Sequence, residues 1–262
     1  MTLITNEIHI IDGLYNTIMV AAADRRITNS SDRSFNSNRK KLFKIPYLNG
    51  AISYFGLASF EKNGRIQYLS SWIPNFIRKQ ARAPNLETFS KELREALNSD
   101  ISKNILKKYP SGFHICCYNK KRLPEFWYLT NVGSMDDFIY QDLKPQYGPP
   151  SPDFLDRDAR KLGWDGEDPY SIHNTSQIYR NGDYRSHSIV WEKVDDVFKK
   201  LWKFDDFKIP KTPDDYGKYV KFKFEFIAYI YKYWAKRPII GRPIDVWVKT
   251  SRDKNASHEK TF

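Results

Sequence analysis

The feature that most constrains the fold is a pair of β-hairpin patterns in the first 60 residues. Residues 3–11 are rich in Ile and Thr and are separated by an Asp-Gly turn signal from a short apolar run at 18–23. Residues 42–45 and 51–58 form a second apolar pair with an Asn-Gly turn signal between them. The sequence therefore predicts two consecutive hairpins, whose apolar faces must be covered by other elements.

Two helical patterns follow these hairpins. Ser70 or Ser71 is a candidate cap for a helix that ends at about residue 81. Asn85 is a candidate cap for a longer helix. The apolar positions of that longer helix recur on one face, and they are Leu86, Phe89, Leu93 and Leu97.

The remaining elements alternate between strands and helices. Residues 112–119 and 125–132 predict a third hairpin, and residues 171–183 predict a strand followed by a turn. An amphipathic helix is expected at 188–204, and a last strand at 244–250. Blocks of antiparallel strands with helices between them are typical of an α+β fold in which helices pack over sheets.

One segment allows two interpretations. Residues 220–226 alternate with period two, as a strand does. Thr212 offers a capping hydroxyl and is followed by Pro and two Asp residues, which is a strong start signal for a helix. Five aromatic residues also share one helical face: Tyr219, Phe222, Phe226, Tyr229 and Tyr233. The start signal favours the helix.

Composition and charge exclude several classes of protein. Aromatic residues make up 16% of the chain, which argues against disorder throughout, and no apolar run of 18 residues exists. The first residues lack the features of a signal peptide. The charge of +12 is spread along the chain with acids interleaved, so it indicates a solvated surface and disfavours a nucleic-acid partner. The only cysteines, Cys116 and Cys117, are adjacent on a predicted strand, which favours reduced thiols and a cytoplasmic location.

The domain organisation is predicted from where regular patterns stop. Residues 141–170 carry five prolines and little periodicity. They fit either a linker or a surface excursion of one domain, and the excursion is favoured because apolar elements resume directly afterwards. We therefore expect a single domain over residues 1–250 and a polar tail over 251–262.

Four residues combine in a pattern with chemical meaning. Thr2 follows the first Met, and Asp24 lies at the end of the second predicted strand. Lys41 lies at the start of the third predicted strand, and Gly56 lies within the fourth. Asp24 and Lys41 are 17 residues apart, and Lys41 and Gly56 are 15 apart. A threonine at a chain start offers a hydroxyl nucleophile and an α-amine that can accept its proton. A nearby Lys ammonium lowers the pKa of that amine, while an Asp keeps the lysine charged.

In these motifs and their order, the chain resembles the proteasome-type N-terminal nucleophile (Ntn) hydrolases, which include the proteasome β-subunits and small bacterial homologues. The resemblance is clearest over residues 1–60. It implies a four-layer αββα sandwich as the fold, and removal of Met1 to expose the nucleophile. It assigns Thr2 as nucleophile and base, Asp24 and Lys41 as its charged partners, and the amide of Gly56 as an oxyanion donor.

The resemblance also assigns substrate-binding and supporting residues. Thr28 matches the position that holds the substrate main chain, and Asn181 matches a position that supports the site. The first specificity pocket is assigned to Ile27, Tyr54 and Ala58.

The expected function is that of a threonine-type peptidase or amidohydrolase that cleaves an amide through an acyl-enzyme at Thr2. The resemblance implies no metal and no organic cofactor, a peptide or other amide as substrate, and a homo-oligomer that can be a ring. The alternative is a catalytically inactive, proteasome-like assembly or binding module. Neither interpretation includes a membrane partner.

Overall fold

Strands and helices alternate in blocks along the part of the chain that the computed structural model describes. The structure describes residues 2–28, 35–36, 38–137 and 139–253, and for Thr28, Phe35 and Ser186 it describes the backbone alone. The strands are β1 (Leu3–Asp12), β2 (Thr17–Asp24), β3 (Ile27–Thr28), β4 (Phe35–Asn36), β5 (Leu42–Ile45), β6 (Gly50–Gly56), β7 (Ser59–Lys62), β8 (Arg65–Tyr68), β9 (Ser111–Tyr118), β10 (Pro124–Thr130), β11 (Val132–Asp136), β12 (Ile139–Leu143), β13 (His173–Gly182) and β14 (Ile244–Thr250). The α-helices are α1 (Leu69–Lys79), α2 (Leu86–Asp100), α3 (Lys103–Leu106), α4 (Ala159–Lys161), α5 (Tyr184–Ser186), α6 (Glu192–Leu201) and α7 (Pro213–Trp234).

Two antiparallel sheets of four strands organise the described residues. The first sheet has the strand order β13-β1-β2-β14, and the second has the order β10-β9-β6-β5. Short hairpins β3–β4, β7–β8 and β11–β12 pair separately. These antiparallel sheets, together with the helices, confirm the α+β class, and the three hairpins predicted from the sequence are present at β1–β2, β5–β6 and β9–β10.

Among the described residues, buried apolar side chains form three clusters that follow from the alternation of each strand. One cluster lies between the two sheets and includes Ile8, Ala21 and Phe55. Another joins the opposite face of the second sheet to α1 and α2. The third joins the opposite face of the first sheet to α7. Since successive strand residues point to opposite faces, Cys116 lies in the cluster between the sheets and Cys117 in the cluster under the helices, as free thiols.

The start of α2 agrees with the sequence prediction, whereas the start of α1 does not. Asn85 accepts a hydrogen bond from the backbone N–H of Thr88, and the predicted inward residues of α2 are all buried. In contrast, α1 begins at Leu69, and Tyr68 precedes it without a side-chain cap. The prediction of a cap at Ser70 or Ser71 was wrong because β8 runs directly into the helix, which places both serines inside its first turn.

The ambiguous segment is helical, and its aromatic face points outward. Thr212 and Asp215 form a capping box at the start of α7. The buried face consists of small and aliphatic residues with Phe224 and Lys223. Four of the five aromatic residues that share a face are substantially exposed, and they are Phe222, Phe226, Tyr229 and Tyr233.

The second half of the chain contains structure that the sequence did not predict. The β11–β12 hairpin starts before the proline-rich excursion and enters it. Within residues 141–170, Tyr147 and Phe154 are buried against the clusters described above. A wide helical turn at His187–Trp191 leads into α6. No helix among the described residues is long and apolar enough to cross a membrane.

Candidate active site

The strand pairing brings Thr2 and Asp24 together. Thr2 directly precedes β1, and Asp24 is the last residue of β2. The register pairs Ile4 with Ala23, so the beginning of β1 lies beside the end of β2. Lys41 directly precedes β5 in the second sheet, so the site lies at an end that both sheets share.

Three polar groups meet at this point. The ammonium of Lys41 donates to Thr2 Oγ1, and the Thr2 hydroxyl donates to Asp24 Oδ1. Lys41 Nζ also lies 3.2 Å from Asp24 Oδ1. Thr2, Asp24 and Lys41 are 3%, 0% and 2% exposed. Burial of a carboxylate and an ammonium is tolerated when the two groups pair with each other and when their remaining donors and acceptors also form hydrogen bonds.

The backbone orients Asp24 and Lys41. Asp24 accepts hydrogen bonds from the backbone N–H groups of Leu3, at 2.9 Å, and of Arg26, at 3.0 Å. Lys41 Nζ also donates to the carbonyl of Arg26. Burial lowers the pKa of Lys41 and outweighs the opposing effect of the Asp24 carboxylate. The Lys41 ammonium therefore gives up its proton more readily than an exposed lysine does.

The main chain of Thr2 is held by two residues that sequence reasoning missed. The backbone N–H of Asp183 donates to the carbonyl of Thr2 at 2.8 Å. Gly182 has φ +116°, and a Cβ at this position would lie 1.8 Å from Thr2 O. Asp183 is itself buried, and this burial raises the pKa of its carboxyl. The sequence predicts a turn at the end of residues 171–183, but it does not show that Gly182 and Asp183 face Thr2.

Asn181, the predicted supporting residue, lies near Thr2 in the register but makes other contacts. It pairs with Ile4 across the first sheet. Its side chain contacts the ring of His114 at 2.9 Å and accepts hydrogen bonds from Tyr128 and Tyr140. Its contacts with Thr2, Asp24 or Lys41 are therefore indirect, through the strand that carries it.

The second sheet places the predicted oxyanion and pocket residues near Lys41. The backbone N–H of Tyr54 donates to the carbonyl of Lys41 at 3.2 Å, and Gly56 is two residues further along β6. Gly56 has φ +82°, and a Cβ there would meet Pro110 O at 1.8 Å. This glycine therefore has a structural reason to be present besides any role in catalysis.

The residues predicted for the specificity pocket differ in exposure. Tyr54 is 1% exposed, and its hydroxyl donates to the carbonyl of Lys40 at 3.5 Å. Ile27, in β3, and Ala58, between β6 and β7, are half-buried. The side chain of Thr28 lies outside the described residues, so its predicted contact with substrate stays a prediction.

A cavity of about 350 Å³ lies beside the turn that holds Thr2. Its walls include Asn181 and Tyr184, which flank the Gly182-Asp183 pair. Tyr140 also lines the cavity, and its hydroxyl accepts a hydrogen bond from the backbone N–H of Gly182 at 2.8 Å. Gly182 of β13 therefore lies between Thr2 and a residue of the cavity wall, Tyr140.

Comparisons with known proteins add no assignment to this geometry. No family model matches the chain, and the search of curated proteins gives no match either. Within the described ranges, no group of three or more His, Cys, Asp or Glu side chains is placed to hold a metal ion.

Proposed function

We propose that the protein is a threonine-nucleophile peptidase or amidohydrolase of the proteasome type. The single observation that carries this proposal is the contact of Thr2 Oγ1 with both Lys41 Nζ and Asp24 Oδ1 in a buried site. These three residues are far apart in sequence, and they are the residues to which the resemblance assigns the nucleophile and its charged partners. A structural ion pair alone does not require a threonine hydroxyl between its members.

The arrangement of the buried clusters supports the matching fold. The support is a buried cluster between the two sheets together with helices over each opposite face, because the four-layer αββα sandwich of the Ntn hydrolases needs both. Such a sandwich presents the beginning of its first strand at one end of the paired sheets. We include this fold in the proposal.

The proposed reaction starts with removal of Met1, after which Thr2 carries a free α-amine. The neutral amine accepts the hydroxyl proton, directly or through a water molecule, as Oγ1 attacks the carbonyl carbon of an amide. The Lys41 ammonium keeps the pKa of that amine low and stabilises negative charge that develops on Oγ1. The Asp24 carboxylate favours the charged form of Lys41 and so opposes part of the effect of burial.

The remaining steps follow from the same groups. The backbone N–H of Gly56 donates to the oxyanion of the tetrahedral intermediate. The proton passes from the α-amine of Thr2 to the leaving nitrogen as the C–N bond breaks, and an ester of Thr2 remains. Water then gives a proton to the α-amine and attacks the ester carbonyl; the bond between the carbonyl carbon and Oγ1 breaks, Oγ1 takes the proton back from the amine, and the carboxylic acid product leaves. These reaction steps use groups of the chain and water, without a metal or an organic cofactor.

The biological setting belongs to the same proposal. The substrate is a peptide or another amide, and the protein acts in the cytoplasm as a homo-oligomer. Ring assembly follows from the resemblance.

The test is hydrolysis of a set of fluorogenic peptide amides that differ in the residue before the scissile bond. We expect turnover by the wild type, measurable turnover by Thr2→Ser, and a loss of about 10³-fold or more in Thr2→Ala. The control is urea unfolding: each variant must have the same midpoint urea concentration as the wild type, which shows that a loss of activity does not result from a loss of stability. Equal turnover by Thr2→Ala and the wild type would refute the proposal and favour an inactive assembly or binding module.

A further inference from the structure

A second cavity, of about 300 Å³, lies on the helical side of the first sheet. It is bounded by β1, β13, α6, α7 and the segment that joins the two helices. Glu7 and His9 of β1 line it, five and seven residues beyond Thr2. At about 3.3 Å per strand residue, these side chains lie roughly 17–23 Å along the strand from Thr2. The cavity is therefore separate from the candidate active site.

A network of charged side chains forms the inner wall of this cavity. Lys223 Nζ donates to Glu7 Oε1 at 2.8 Å and to Asp195 Oδ1 at 3.0 Å. The same ammonium lies over the rings of Trp191 and Tyr219, at 4.4 and 4.6 Å from their centroids. The lysine is therefore fully satisfied by two carboxylates and two aromatic faces.

The two carboxylates of the network are not satisfied to the same extent. Glu7 is completely buried, with Oε1 on Lys223 and Oε2 on His9 Nε2 at 2.9 Å. Asp195 accepts from Lys223 and from the Tyr219 hydroxyl, and both of these donors use Oδ1. Asp195 Oδ2 has no hydrogen-bond partner among the residues that the structure describes. Two carboxylates share one buried ammonium, so the network carries an excess negative charge when His9 is neutral.

The rest of the wall is aromatic. Trp202, Tyr216 and Tyr219 line the cavity, and the rings of His9 and Tyr216 are 4.3 Å apart. Because the Glu7 carboxylate can only accept, a proton on His9 Nε2 points to Glu7. The exposed Lys199 stands at the edge, where solvent screens its charge.

We propose that this cavity binds an organic cation, an alkylammonium or a guanidinium group. The cationic head pairs with Asp195 Oδ2 and compensates the excess charge, while its alkyl part lies against the aromatic wall formed by Trp202 and Tyr216. Aromatic faces beside a carboxylate attract such cations through their ring quadrupoles as well as through the charge. The shared chemistry fits a free amine and a Lys or Arg side chain of a polypeptide equally.

The test is calorimetric titration of the full chain at physiological salt with n-butylammonium, n-butylguanidinium and the uncharged n-butanol. We expect saturable binding of at least one cation and none of n-butanol. A blocked tetrapeptide with one arginine distinguishes the sources. Binding of the peptide as tightly as butylguanidinium identifies a polypeptide side chain, and binding of the small cations alone identifies a free small-molecule cation.

Matched variants assign the binding to this cavity. Asp195→Asn keeps an oxygen acceptor for Lys223 and Tyr219, removes the charge, and should weaken binding about tenfold or more. Asp196→Asn removes the same charge from the next residue of α6, which is exposed and outside the cavity lining, and should leave binding unchanged. Trp202→Ala leaves every charge in place and should also weaken binding. Absence of saturable cation binding, or equal affinity in Asp195→Asn and Asp196→Asn, would overturn the proposal.

Discussion

Lys41 Nζ lies 3.2 Å from Asp24 Oδ1, in a pair whose side chains are 2% and 0% exposed. The Thr2 hydroxyl contacts both of them. Such a pair contributes little net stability when complete, but loss of one member leaves a charge buried without compensation. The same burial that makes the pair sensitive to substitution holds the lysine next to the hydroxyl.

Asp24→Asn should lower the free energy of unfolding by about 3–5 kcal/mol, because it leaves the Lys41 ammonium buried beside a neutral amide. The measurement is urea unfolding at neutral pH. The control is Asp142→Asn, which breaks an exposed pair with Lys144 and should cost less than about 1 kcal/mol. An equal loss in the free energy of unfolding for the two variants would show that Asp24 does not compensate the buried charge of Lys41.

Gly182→Ala should disrupt the site and the fold together, because a Cβ at φ +116° would lie 1.8 Å from Thr2 O. We expect a loss of about 3 kcal/mol or more in the free energy of unfolding. Gly64→Ala is the matched control. It also has a positive φ, of +71°, but nothing lies within 4 Å of the added Cβ, so only about 1 kcal/mol of backbone strain is expected. A Gly182→Ala variant as stable as Gly64→Ala would contradict the close approach to Thr2.

Stability should fall in acid through Glu7. Burial raises the pKa of this carboxyl. The Lys223 ammonium and the hydrogen bond from His9 lower it by more than burial raises it, so the pKa falls from 4.5 to about 2. Between pH 2 and pH 4.5, the unfolded state therefore binds more protons than the folded state does. The contribution of Glu7, about 3 kcal/mol, is present above pH 4.5 and is lost as the pH falls towards 2.

The measurement for Glu7 is the free energy of unfolding as a function of pH. Glu7→Gln should be less stable at pH 7 and should lose part of the dependence between pH 4.5 and 2. Glu87→Gln, which removes an exposed carboxyl on α2, should retain the wild-type dependence. The same acid slope in Glu7→Gln and in the wild type would exclude Glu7 as its source.

His114 should remain neutral far below the usual titration range of histidine, since burial lowers its pKa to about 3. Its Nδ1 lies 3.1 Å from Asn6 Oδ1, and its Nε2 lies 2.9 Å from Asn181 Nδ2, as a neutral ring with the proton on Nδ1 requires. The check is an NMR titration in which the His114 signals are assigned by their loss in His114→Gln. A midpoint near pH 6.5 would contradict the buried, neutral ring.

Local patterns predicted the elements that depend on local chemistry. The cap at Asn85 and the one-face spacing of α2 are properties of a short window, as is the capping box of α7. The β7–β8 hairpin was also within reach, because Asn63 and Gly64 form an Asn-Gly turn with positive φ at both residues. That signal was present in the sequence and was missed.

Other features depend on contacts between distant residues. Spacing shows which aromatic residues of α7 share a face, but it does not show that this face is exposed and that Lys223 points inward. Lys223 is buried because it pairs with Glu7, 216 positions away. Asp183 is a part of the site for a similar reason: the first sheet brings the end of β13 to the beginning of β1. The positions of Asp24 and Lys41 relative to Thr2 were expected from the resemblance alone.

The most direct test of the central claim is the intact mass of the untagged protein before and after treatment with a threonine-directed β-lactone. We predict a mass that lacks the first methionine and one covalent adduct per chain, located by peptide mapping on Thr2 and absent from Thr2→Ala. A chain that retains Met1 and gains no adduct, or an adduct that persists in Thr2→Ala, would contradict the assignment of Thr2 as the nucleophile.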